Sequence, residues 1–140
     1  MRQLLLLLAL VLSFPTYGRA DDQALLGSLK SANFNTTADQ SIPMRSTSYV
    51  LRRIVVTNCS ASLTLAAGGF YTAAGKTGTT VVAAVQIYSA LTAATKVLDV
   101  TLAAGAVGSI LSSTTLFFAL TTGQGSAATC DIYLYGDAFS

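Results

Sequence analysis

A chain of 140 residues, with 52% apolar and 10% charged side chains, has room for one domain around one core, and it shows no internal repeat. It contains no histidine and all six of its acids are aspartates, which excludes Ser-His-Asp and Cys-His catalysis, removes the commonest general base and leaves a zinc ion only two cysteines and scattered aspartates. The formal charge of +2 falls to zero once Arg2 and Arg19 are set aside, so nothing marks the remainder for nucleic acid or for a polybasic contact with a membrane.

Residues 1–20 read as a processing signal. Arg2 supplies the positive start, Leu4 to Leu12 the apolar run, and Pro15, Gly18 and Ala20 the exit, with cleavage expected after Ala20. The run is shorter than the roughly 20 residues a bilayer span needs, so the expectation is a secreted protein with no stable span after processing. Residues 21–45 are polar and lead to Pro43, which suggests an arm or an irregular first strand; residues 46–140 are the expected β domain.

Alternation begins at Tyr49. Strict period two over Tyr49 to Asn58 puts Val50, Arg52, Ile54 and Val56 on one face and Tyr49, Leu51, Arg53 and Val55 on the other. Cys59, Ala61, Leu63 and Leu65 alternate with Ser60, Ser62 and Thr64, which predicts a second strand ending at Gly68 and Gly69. Phe70 to Ala74 is a short β-prone piece followed by a turn at Gly75 to Gly78. Val81 to Leu91 fits helical and strand spacing equally well and is read as strand. Val97 to Leu102, Thr114 to Thr121 and Thr129 to Gly136 complete the set, with a turn expected over Gly123 to Ala128. Strands of this kind between glycine-bearing turns indicate an all-β, single antiparallel β-sandwich of jelly-roll or Greek-key type.

Cys59 and Cys130 both fall on the apolar side of their expected strands, which allows a disulfide between core strands in an oxidising compartment. The absence of tryptophan disfavours an immunoglobulin domain.

Other patterns carry less chemistry. Asp99, Asp131 and Asp137 could converge as a carboxylate pair, but Asp99 and Asp131 look solvated. Ala74-Gly75-Lys76-Thr77 lacks the earlier glycine of a phosphate loop, since Phe70 stands there. Gly123, Gly125 and Ala128 fit a relaxed dinucleotide pattern, but a strand follows where a helix is required. Of Arg52 and Arg53, one is expected to reach solvent at a sheet edge and the other to pair with Asp99 or Asp131. Asn35-Thr36-Thr37 and Asn58-Cys59-Ser60 match the glycosylation acceptor pattern. Tyr133 and Tyr135, with Tyr71 and Tyr88 nearby, make a candidate face for subunit contact or glycan stacking.

The stretches Leu25 to Phe34, Tyr49 to Asn58, Ser62 to Ala74 and Leu120 to Gly125 together resemble small virion-associated proteins encoded by bacteriophages and prophages. That resemblance implies a non-enzymatic β protein that decorates a capsid or takes part in a tail, with no catalytic residues to carry over. The expectation is therefore a structural subunit of a virion or extracellular assembly acting as a homo-oligomer, without cofactor. A secreted carbohydrate-binding module or adhesin is the alternative.

Overall fold

A computed structural model of the chain describes residues 23–139; the signal-like segment and its expected cleavage point lie outside them. The described residues form eight strands and no helix: β1 (Ala24–Asn33), β2 (Gln40–Pro43), β3 (Ser48–Thr57), β4 (Ala67–Ala73), β5 (Thr77–Val82), β6 (Val97–Val100), β7 (Thr115–Thr122) and β8 (Thr129–Phe139).

They make two antiparallel sheets, sheet I in the order β1-β8-β3-β6 and sheet II in the order β2-β7-β4-β5. Strands pair as if one long hairpin had been wrapped on itself: β1 with β8, β2 with β7, β3 with β6 and β4 with β5. The contacts β3–β8 and β4–β7 close each sheet. This is jelly-roll connectivity, two interlocked Greek keys.

The core lies between the sheets. Leu26, Phe34, Tyr49, Leu51, Ile54 and Val56 from sheet I and its loops meet Ile42, Phe70, Leu116, Phe118 and Leu120 from sheet II. Phe34, Tyr88 and Phe118 form an aromatic cluster, with centroids 5.1 Å apart for Phe34–Tyr88 and 4.9 Å for Phe34–Phe118. Burial of such rings is the largest apolar contribution available to a domain of this size.

Several elements differ from their sequence expectations, each for a local reason. The polar N-terminal segment is built into the sandwich: β1 pairs along β8, and β2 along β7. Its period is hidden by register shifts at Leu25/Gly27 and Leu29/Ala32 and by a left-handed Ser31 (φ 51°). In β3 a bulge between Leu51 and Arg53 switches the parity, so Tyr49, Leu51, Ile54 and Val56 all enter the core.

The expected strand Cys59 to Leu65 is a loop. Its backbone donors find another acceptor: the side-chain oxygen of buried Gln124 accepts from the N–H groups of Thr64, Leu65 and Ala66 at 2.9, 3.1 and 3.3 Å. A strand ladder is not needed once those donors are satisfied. The expected strand Val81 to Leu91 ends at Val82, where a turn closed by Gln86 N–H donating to the Ala83 carbonyl sends the chain back beside Ala66 to Gly68. Gly123 to Ala128 is not a hairpin turn, because β7 and β8 lie in different sheets and the segment crosses between them.

Candidate functional site

The candidate residues fall mainly on the outer face of sheet I. Along β8 the core takes Cys130, Ile132 and Leu134, so Asp131, Tyr133, Tyr135 and Asp137 project the other way. Register then sets Tyr135 beside Arg53, Tyr133 beside Val55, and Val55 beside Asp99 on β6.

The rings of Tyr133 and Tyr135 stack on each other, with centroids 6.5 Å apart and planes 22° apart. Lys30 of β1 lies over the Tyr133 ring, its Nζ 4.3 Å from the centroid, and it also donates to the Tyr133 hydroxyl. The two rings are thus partly covered by each other and, at Tyr133, by a cation, and both remain half-buried on the outer face.

Tyr71 and Tyr88 do not join them. Tyr88 is fully buried in the core and donates to the Gly68 carbonyl at 3.1 Å, with burial raising its pKa. Tyr71 is buried on sheet II, paired in register with Phe117, and its hydroxyl has no partner among the described residues. Both carry enough apolar ring to be drawn into packing, which sequence spacing does not reveal.

Three ion pairs cross the outer face of sheet I: Lys30–Asp131 at 3.2 Å, Arg52–Asp137 at 2.8 Å, and Arg53–Asp99. Arg52 therefore does not run free at an edge; β3 is an inner strand, and both arginines are paired. The bidentate contact to Arg53 holds the Asp99 carboxyl below its usual range and raises the guanidinium correspondingly.

Asp131 is buried, not solvated, at 8% exposure. It accepts from the Ser31 backbone N–H at 2.9 Å, from Asn58 Nδ2 at 3.2 Å and from Lys30. The Ser31 bond first, then Asn58 and Lys30, lower its pKa against the opposing cost of burial. Each of the three expected acids is thus held by its own cation, an arrangement that stabilises the charged carboxylate. Lys30 and Asn58 were not legible as partners of Asp131, because they lie 101 and 73 residues away in sequence.

Cys59 and Cys130 are joined by a disulfide, at a sequence separation of 71. Cys130 is buried on β8 and Cys59 sits in the loop just past β3, so the bridge ties that loop to the core. Asn58 also lies past the strand, at φ 51°, while Asn35 is exposed in the turn after β1. Residues 74–76 form the tight β4–β5 connection, and Gly75, Lys76 and, just inside β5, Gly78 are all left-handed. Among the described residues no helix is long and apolar enough to cross a membrane, and no cluster of three metal-ligating side chains occurs.

Sheet II presents a different exterior. Its four strands contain no charged residue. Ser41, Phe117 and Tyr71 are register neighbours across β2, β7 and β4, and their parity is opposite to that of the core residues Phe70 and Phe118. At the border of this sheet Leu65, Val85 and Ile87 are 62%, 80% and 61% exposed. An Ala67–Ile87 bridge and the Thr121 hydroxyl, which donates toward the carbonyls of Ala67 and Ala84, hold these segments together.

No protein-family profile, curated protein or solved structure matches the chain.

Proposed function

We propose that this chain is a structural subunit of a virion or extracellular assembly that acts through self-association. The observation that carries this reading is the uncharged exterior of sheet II, bordered by exposed Leu65, Val85 and Ile87. A contiguous surface of that kind lowers its free energy when a second copy covers it, and no charge has to be desolvated in doing so. The jelly roll is an architecture used by capsid and lectin domains alike, which by analogy accommodates the reading without selecting it. The disulfide is compatible with life outside a reducing cytoplasm.

The test is the native mass of the chain from residue 21 onward, by light scattering after gel filtration across a concentration series. A defined oligomer is expected, and Val85→Asp with Ile87→Asp is expected to reduce it to monomer while circular dichroism stays unchanged. A wild-type chain that is monomeric at every concentration contradicts self-association.

A further inference from the structure

Away from both sheet faces, the loop after β3 and the loop before β6 enclose a cleft of about 240 Å³. Its lining includes Asn58, Ser60, Ser62, Thr92, Thr95 and Lys96, together with Cys59 of the disulfide.

The walls are fixed. Ser60 and Thr129 exchange two hydrogen bonds, Ser60 N–H to the Thr129 carbonyl at 2.8 Å and Thr129 N–H to Ser60 Oγ at 3.0 Å. Leu63 N–H donates to the Leu91 carbonyl at 2.9 Å, and both leucine side chains are buried beneath the loops. The Thr57 hydroxyl donates to the Lys96 carbonyl at 2.7 Å.

The polarity of the lining is one-sided. Ser60 Oγ accepts from Thr129 N–H, Ser62 Oγ accepts from Ala93 N–H at 3.0 Å, and Thr92 Oγ1 accepts from the N–H groups of Ala94 and Thr95 at 3.2 and 3.0 Å. A hydroxyl has one proton to donate, and none of these three spends it on a protein acceptor among the described residues. Lys96 adds an ammonium that makes no ion pair there, and no carboxylate lines the cleft. The nearest acid through bonds is Asp131, which the Asn58 amide reaches but which Lys30 neutralises.

Exposed hydroxyls whose oxygens already accept backbone bonds, with one cation and no competing acid, complement an oxyanion. The volume sits just below the range of sites for drug-sized ligands, roughly 300–1,000 Å³, which suits one sugar ring. From this we infer that the cleft is a binding site for a small oxyanion carried on a sugar, an acidic monosaccharide unit whose carboxylate meets Lys96 and whose ring hydroxyls meet Ser60, Ser62 and Thr92. The site is separate from the self-association surface and does not depend on it.

The experiment is an amide-resolved NMR titration of the chain from residue 21 with sodium galacturonate, galactose and sodium sulfate at matched ionic strength. Galacturonate is expected to give saturable shifts at Ser60, Ser62, Thr92 and Thr95, with galactose at least tenfold weaker. Lys96→Gln, a change at an exposed residue, is expected to weaken galacturonate about tenfold, as loss of one charge-assisted contact does. Saturation by sulfate with no response to galacturonate would overturn the sugar assignment. Shifts that do not saturate with any of the three, or saturation that Lys96→Gln leaves untouched, would overturn the site.

Discussion

Sheet I carries six charged side chains on its strands and sheet II carries none. On sheet I the charges are matched one to one, so its exterior can stay in water or meet a polar partner at little cost, but covering it with an apolar surface would desolvate three ion pairs. On sheet II there is nothing to desolvate except threonine, serine and glutamine, and the border is apolar. One sandwich thus has a charged side and an uncharged one, and the sequence separates them strand by strand.

The sharpest way to break this contrast is at the disulfide that staples sheet I. Replacing Cys59 and Cys130 by serine opens a 71-residue loop and should cost about 4 kcal/mol in the chain-entropy picture. Guanidinium unfolding should show this as a lower midpoint, with the jelly roll itself retained at low denaturant.

Gln124 tests the border of sheet II. Gln124→Leu strands the three N–H groups that its side chain serves, and should cost about 3 kcal/mol. Hydrogen exchange should speed up at Thr64 to Ala66, and because Leu65 is displaced the oligomer should weaken as well.

For sheet I, Asp131→Asn should cost about 2 kcal/mol, since a buried carboxylate loses charge-assisted bonds to Ser31, Asn58 and Lys30. The folded carboxyl has a pKa below its unfolded value. Its contribution is therefore complete above the unfolded value near pH 4, and is lost as the pH falls through the folded one. Stability profiles of wild type and Asp131→Asn should converge below that window and part above it.

The smallest expected change compares two tyrosines, one in each sheet. Tyr49 and Tyr71 both bury a hydroxyl without a protein partner among the described residues, and burial raises the Tyr49 pKa to about 12. Phenylalanine at either site should alter stability by less than about 0.5 kcal/mol, or raise it slightly. Because both hydroxyls are buried, neither Tyr71→Phe nor Tyr49→Phe should change the native mass in solution.

Much of this architecture can be read from residue order alone. Val97 to Val100, Thr115 to Thr122 and Thr129 onward are strands because each keeps its apolar residues in step with a two-sided pleat. Reading fails where a side chain does the work of a ladder, as Gln124 does for Thr64 to Ala66, or where a bulge changes parity, as at Leu51 to Arg53. The tyrosine pair on β8 was legible from its spacing, but its Lys30 cap was not, because strands adjacent in the sheet lie a hundred residues apart in sequence. The cleft beside the disulfide belongs to two loops whose approach no periodicity encodes.

The nested pairing of β1 with β8 and β2 with β7 also sets a timetable. Until the last eleven-residue strand exists, β1 has no neighbour for its ladder, and Leu26 and Ala32 remain without their cover. Closure of such distant partners is slow, on the order of milliseconds to seconds for β-rich domains. The domain is therefore completed only after synthesis of β8, so the first strand made is among the last to gain its ladder.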